Sequence, residues 1–384
     1  MKKIYLDYAS TTPADPQIVQ TMQPFFNEIF GNPSSAHSFG KEAKKVVEDA
    51  RAAVAQSLGV RPHDIVFTGG GTESNNAALK GVTYANRSRG DHIITSSIEH
   101  HSVLESCAFL ERNGFTVTYL SVDSTGMVDP EAVLKAITPK TILISIMHAN
   151  NEIGTIQPIA EIGRIARKRG IPFHTDAVQT IGHIPVSADA LSIDLLSASA
   201  HKFYGPKGAG FLYIRSGTRF SPFMHGGSQE KGRRASTHNV PGIVGLGKAL
   251  ELAQKRMEEE MSTLTILRDT LIKGIADNVK GARLNGHPTV RLPGNVNFSF
   301  KNAEGELLLQ HMDEEGIACS TGSACSAEST GPSHVLTAIG LSSDLIAGSL
   351  RLTIGRDITR EDIEYTIKVL RKVVKKVRLL TEFL

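Results

Sequence analysis

The chain has 384 residues, 40% hydrophobic and 21% charged, with 42 basic against 39 acidic side chains. At about 100–200 residues per domain that is enough for two or three domains with a large core, and it is not the composition of a disordered chain. A net charge of +3 gives no electrostatic reason to expect nucleic acid or an anionic membrane as the main partner. The three cysteines, Cys107, Cys319 and Cys325, offer neither a disulfide framework nor a paired C-x-x-C zinc motif. The opening MKKIYLDYASTTP lacks the apolar stretch of a signal peptide, and no apolar run approaches the roughly 20 residues that span a bilayer. A reducing, cytoplasmic, enzyme-sized protein is expected.

Short β-rich runs alternate with amphipathic helical patterns along most of the chain. DIVFTGG (64–70) reads as a strand entering a glycine turn, and residues 72–86 as the helix that follows. Residues 91–100 form a strand, 101–114 a helix stopped by Gly114, and 115–122 another strand. The runs 140–151, 170–177 and 191–200 are nearly continuous apolar strands, the pattern of a sheet covered by helices on both faces. Residues 159–170 are a helix with a glycine stop, and 208–215 one more strand. This alternation predicts an α/β fold with a mostly parallel sheet. Residues 247–279 form one long charged helix joining two domains. Strands near 295–300 and 349–354 follow, and then a last helix from about 360, opening on Thr359-x-x-Asp362 in the manner of a capping box. The apolar stripe of that helix, Ile363, Ile367, Leu370, Val374 and Val377, reads as core packing.

The most informative stretch is SAHKFYGPKG (199–208). It follows an apolar strand, so Lys202 lies at a strand's C-terminal end, where open α/β sheets place their sites. A lysine in a loop is usually only a solvated charge, but Asp176 ends another apolar strand and Gln179 comes three residues later. Gly69-Gly70-Gly71-Thr72 sits between a strand and a helix N-terminus, an anion site of free N–H groups and a hydroxyl. A nucleotide loop is the rival reading of this turn, but neither G-x-x-x-x-G-K-[ST] nor G-x-G-x-x-G occurs there. Amine, carboxylate and anion site together are what pyridoxal 5′-phosphate requires: a Schiff-base lysine, a partner for the pyridine nitrogen and a phosphate cradle.

The stretches YLDYASTTP (5–13), FGNPSSAHSFG (30–40), FTGGGTESNN (67–76), EHHSVL (99–104), MHANNEIGTIQPI (147–159), HTDAVQ (174–179), SAHKFYGPKG (199–208), HGGSQEKGRRAST (225–237), GSACSAES (322–329) and SLRLTIGR (349–356) carry a resemblance over essentially the whole chain. The sequence resembles the cysteine desulfurases of the NifS/IscS family, class V aminotransferase-like members of the fold-type I pyridoxal-phosphate enzymes. The resemblance implies a mostly parallel central sheet with helices on both faces, plus a smaller α+β C-terminal domain. It also implies roles. Lys202 matches the Schiff-base lysine, Asp176 the pyridinium partner, and Gln179 the donor to the ring's phenolate oxygen. His100 matches the histidine that stacks on the ring and handles protons, although taken alone it could be a hydrogen-bonded structural histidine. Gly71, Thr72, Ser199 and His201 match the phosphate site, and Thr237 a phosphate ligand given by the neighbouring subunit of a homodimer. Asn151 and Arg351 match the holders of the substrate carboxylate, a task that suits a guanidinium fork.

Cys325 sits among small and polar residues (STGSACSAESTGP, 320–332) with no apolar periodicity to bury it, which reads as an exposed, mobile loop carrying a nucleophile. Cys107, in a helical pattern, and Cys319, ending an apolar stretch, read as small buried residues. The resemblance implies that Cys325 takes sulfur from L-cysteine as a persulfide, leaving alanine. The sulfur then passes to an acceptor or iron–sulfur scaffold protein, for cluster assembly or tRNA thiolation. No resident metal is expected, beyond a transient cluster contact through Cys325. Ser326-Ala327 stands where many members have Thr-Ser, and Ala235-Ser236-Thr237 where many have Ser-Gly-Thr; neither removes a reactive group. The alternatives are a selenocysteine lyase, a transaminase of the same fold, or a non-catalytic sulfur carrier. The expected organisation is a segment 1–14 packing with the small domain or a partner subunit, a cofactor-binding domain 15–257, and a small domain 258–384 carrying the Cys325 loop.

Overall fold

The computed structural model describes residues 3–321 and 331–381. The chain enters through a short strand, β1 (Ile4–Tyr5). It then builds a seven-stranded sheet from β2 (Ile65–Thr68), β3 (His92–Ser96), β4 (Thr116–Leu120), β5 (Thr141–Ser145), β6 (Phe173–Asp176), β7 (Leu195–Ser199) and β8 (Gly210–Ile214). The spatial order is β2-β8-β7-β6-β5-β3-β4. Pairings from β7 through β4 are parallel, while β8 runs antiparallel to both its neighbours. The central strands β5, β6 and β7 are buried at every position, because helices cover both faces. The Ser38–Leu58 and Ile159–Arg169 helices pack into one core. The Gly71–Ala85 and His101–Arg112 helices pack into the other. The α/β class with a mostly parallel sheet is therefore present as expected.

The strand predicted over 140–151 stops at Ser145. Beyond it the side chain of Asn150 accepts the N–H groups of Glu152 and Ile153 (2.9 and 3.0 Å) and closes a turn. That turn competes with the ladder for the backbone, as asparagine side chains do.

The long helix runs Val240–Asn278, starting seven residues before the predicted position. Asn239 caps it by accepting from the N–H of Gly242 at 3.1 Å. Its early glycines are contact points. A Cβ on Gly247 would lie 2.9 Å from Ala50 Cβ, and one on Gly245 2.6 Å from Met22 Sδ. The helix is about 60 Å long. Its first half contributes Val240, Leu246 and Leu250 to the core beneath the large sheet. Its second half contributes Leu264, Leu267, Leu271 and Ile275 to another core.

That other core surrounds three antiparallel strands, β9 (Ala282–Leu284), β10 (Asn295–Phe300) and the later β12 (Ser349–Thr353), in the order β12-β10-β9. The short β11 (Ile317–Ala318) pairs in parallel with β1. Ile4, Leu6 and Tyr8 are thereby buried in the second core. The chain then crosses to the first sheet, where Thr12 N–H meets the carbonyl of His201 at 3.0 Å. The final helix, Arg360–Thr381, opens on a reciprocal box: Thr359 N–H reaches Asp362 Oδ2 at 3.1 Å and Asp362 N–H reaches Thr359 Oγ1 at 3.2 Å. Ile363, Leu370, Val374 and Val377 are buried in the second core with Ile367 against it. Among the described residues no helix is long and apolar enough to cross a membrane.

Candidate active site

The C-terminal ends of the parallel strands open into a cavity of about 400 Å³. Ten of the residues singled out from the sequence line it: Gly71, Thr72, His100, Asn151, Asp176, Gln179, Ser199, His201, Lys202 and Arg351. They come from six separate stretches of the chain; those of the large sheet are gathered because parallel strands all end on one side of it, and Arg351 comes from β12 of the second sheet.

Lys202 closes a single 3₁₀ turn, Ala200–Lys202, immediately after β7. Its Nζ donates to the carbonyl oxygens of Ala9 and Ser10, both at 2.6 Å. Its own carbonyl accepts from His183 Nε2 at 2.8 Å. Gln179 donates to the carbonyl of Ala9 as well, at 3.0 Å. The segment after β1, part of the YLDYASTTP stretch, is thus a wall of the cavity, a role the sequence reading does not assign it.

Asp176 ends β6 and is buried. Oδ1 accepts the Val178 N–H at 3.0 Å, and Oδ2 accepts from Asn75 Nδ2 at 2.6 Å. Asn75 also donates to Ser102 Oγ at 2.8 Å, and Ser102 Oγ lies 2.8 Å from His100 Nδ1. His100 caps the His101–Arg112 helix, its Nδ1 accepting the Ser102 N–H at 3.1 Å. Burial first, then Lys202 and His101, hold the His100 pKa below its ordinary value, with Asp176 opposing them. Asn75, Ser102 and Met147 also line the cavity. Asn75 belongs to the FTGGGTESNN stretch, but only its place on the inner face of the helix reveals a role.

The Gly71–Ala85 helix points its N-terminus at the same space. Its N-cap, Gly70, sits at φ 149° with no side-chain cap bond, so the first N–H groups are left for a ligand. A Cβ on Gly71 would lie 2.7 Å from Val178 Cγ2, so the turn accommodates little there beyond backbone. His201 adds its ring, with Nδ1 3.1 Å from Thr11 Oγ1. Burial, then Lys202 and Lys207, push its pKa down to about 4, so it is neutral at pH 7.

Arg351 is 1% exposed and lies on β12. Its Nη2 donates to Asp7 Oδ1 at 2.8 Å and Ser10 Oγ at 2.7 Å, and Nη1 to the Asn151 carbonyl at 3.2 Å. Its buried Nε has no hydrogen-bond partner. Two buried carboxyls, Glu99 and Glu152, adjoin the lining residues His100 and Asn151 in the chain. Burial raises Glu99 to about 8 and Glu152 to about 7. Glu152 accepts from Ser333 Oγ at 2.7 Å.

Thr237 does not line this cavity. It borders a separate one with Phe67, Gly69 and His238. Cys325 lies outside the described residues. Cys107 and Cys319 are buried. Burial pushes both thiols up, Cys319 to about 12. Among the described residues no cluster of histidine, cysteine and carboxylate side chains suits a metal ion.

The chain belongs to the aminotransferase class-V family, which matches residues 4–366. It is 54% identical over 382 residues to the cysteine desulfurase IscS of Dictyoglomus turgidum, covering 100% of this chain and 97% of that protein. Among solved structures, a NifS-like protein superposes with a TM-score of 0.92 at 40% identity, covering 98% of this chain and 100% of the other. A structure of SspA in complex with cysteine gives a TM-score of 0.81 at 40% identity, covering 92% and 99%.

Proposed function

We propose that this chain is a pyridoxal-phosphate-dependent cysteine desulfurase that converts L-cysteine to L-alanine and leaves the sulfur as a persulfide on Cys325. One observation carries the reading: the Lys202 amine, the buried Asp176 carboxylate, an open helix N-terminus and the Arg351 guanidinium all face one cavity. The likeness to desulfurases and to a structure containing cysteine supports it.

The residues present fit the cofactor. Lys202 would hold its aldehyde carbon and Asp176 its ring nitrogen. Gln179 would hold its phenolic oxygen. The Gly71–Thr72 turn, Ser199 and His201 would hold its phosphate, and His100 would lie over its ring. When bound, the group supplies a conjugated ring that stores the electron pair released at the substrate α-carbon. Arg351 and Asn151 orient the substrate carboxylate, a task that suits a guanidinium fork. Lys202 Nζ takes the α-proton, and the Ala9 and Ser10 carbonyls steady it as a cation.

The Cys325 Sγ attacks the substrate sulfur. An S–S bond forms and the substrate C–S bond breaks. The carbon gains the hydrogen that makes the alanine methyl, so no outside oxidant or reductant is needed. A free thiol near pKa 8.5 is only a few per cent ionised at neutral pH, so the site's cations must favour the thiolate. Burial of the other two thiols supports Cys325 as the nucleophile. The position of Thr237 on another cavity supports a homodimer in which the partner completes the phosphate site. The product persulfide calls for a thiol or scaffold-protein acceptor in a reducing compartment, the cytoplasm.

The test is sulfide release from L-cysteine with a reductant, comparing the intact protein with Cys325→Ala, both loaded with cofactor. Activity that disappears in the variant supports the persulfide route. Full activity in the variant overturns it in favour of a lyase acting on selenocysteine.

A further inference from the structure

We propose that Ser102 is a positioning residue that locks His100 as the neutral imidazole carrying its proton on Nε2, with the donor direction set at Asp176 and passed through Asn75. The inference deepens the desulfurase reading and rests on it for its meaning, though not for its geometry.

The direction of each hydrogen follows from the chain of partners. Asp176 Oδ2 is an acceptor, and 2.6 Å away lies the Asn75 amide nitrogen. The reversed amide would bring its oxygen to that distance from a carboxylate, so the orientation is fixed. The second N–H of the same amide goes to Ser102 Oγ at 2.8 Å. Ser102 Oγ therefore accepts on that side, and its own hydrogen is free for the His100 Nδ1 at 2.8 Å. The Ser102 backbone N–H also points to Nδ1, at 3.1 Å. Two donors converge on one nitrogen, and a proton there would face both. The ring proton is left on Nε2.

The surroundings agree with a neutral ring. Burial disfavours the imidazolium, and Lys202 and His101 oppose it; Asp176 alone favours it. The His334 ring, 4.8 Å from that of His101, is itself held toward its neutral form by burial. Glu99, buried beside His100 in the chain, is held toward its uncharged form. In this state His100 offers a hydrogen bond from Nε2 and cannot act as a base at that atom. It can cover a cofactor ring without adding charge.

The experiment uses the full chain, labelled with ¹⁵N-histidine and loaded with pyridoxal phosphate, with His100→Gln as the assignment control. The expected spectrum shows His100 with a bare Nδ1 and a protonated Nε2 from pH 6 to 9. Ser102→Ala should shift the tautomer ratio toward Nδ1–H by about fivefold to tenfold, the effect of one hydrogen bond. Ser102→Thr, which keeps the hydroxyl, should restore it. A protonated Nδ1 in the unmodified protein, or His100 signals unmoved by Ser102→Ala, overturns the proposal. The unmodified protein's spectrum decides the tautomer even if the variant does not fold. If the expected pattern appears while the Cys325 test yields no sulfide, the lock stands and the desulfurase reading falls.

Discussion

At the scale of single residues, Glu230 is a buried carboxylate that ties the stretch leading to Thr237 onto the large domain. Its side chain is 1% exposed. It takes Arg51 on both oxygens (2.7 and 2.8 Å), His238 Nε2 at 2.7 Å and the Phe67 N–H at 3.1 Å. Glu230, Lys231 and Ser236 all adopt positive φ, so this cluster fastens a strained stretch that ends at Thr237. Burial pushes the carboxyl's pKa up, but the His238 and Arg51 interactions outweigh it and bring it down to about 2. A depressed carboxylate stabilises the fold above its ordinary pKa and loses that contribution as pH falls toward the folded value. The shift corresponds to roughly 3 kcal/mol. Glu230→Gln should therefore lose about 2–4 kcal/mol at pH 7, and its stability should fall less steeply than the parent's between pH 5 and pH 2. Urea unfolding at several pH values and fixed protein concentration measures both. Equal slopes for the two proteins would show that Glu230 is not the titrating group. Lys202 and Asp176 were legible in the sequence because a strand end marks them locally. Glu230, Asn75 and Ser102 were not, since each has a decisive partner 27 to 179 positions away in the chain.

Elements meet closely where β8 passes the turn that opens the Gly71–Ala85 helix. A Cβ on Gly210 would lie 2.6 Å from the Ala198 carbonyl oxygen and 2.7 Å from Gly70 Cα. Both neighbours are backbone, so neither can rotate away. Gly210→Ala should displace the phosphate turn by several tenths of an ångström and weaken retention of pyridoxal phosphate by about tenfold or more. The fold should lose about 1–3 kcal/mol. Dialysis against cofactor-free buffer, followed by coenzyme absorbance, measures the first effect. Retention equal to the parent's would show that the turn tolerates the crowding. The centres of the strands were legible because apolar runs and length identify them. Their ends were not, as at Ser145, where an asparagine turn takes over the backbone. The start of the long helix lies seven residues earlier than predicted, in a stretch where Gly245 and Gly247 serve close packing.

For the whole molecule, two cores are joined by one continuous helix and by the opening segment of the chain. The class of fold was legible from strand–helix alternation; the pairing of β1 with β11 was not, because two-residue strands carry no periodicity. The separation of Thr237 from the cavity gives the assembly a test. Lys202→Ala and Thr237→Ala chains are each expected to be inactive. When they are refolded together, mixed dimers should recover activity. In such a dimer one site combines an intact Lys202 with the partner's intact Thr237. No recovery would mean that Thr237 serves its own chain.

The strand that leads the chain also orders events in time. β1 finds its partner, β11, about 310 residues later. At ribosomal speeds of about 5–20 residues per second that is a wait on the order of 15–60 s. Through that interval Ile4, Leu6 and Tyr8 have no core to enter, and the Ala9 and Ser10 carbonyls have not been drawn against Lys202. The large sheet can assemble early, but the β1 segment that meets the lysine is not fixed until β11 has been made. Capture of the proposed cofactor would thereby be a late event in biosynthesis, since β1 gains its place only after β11 has been made.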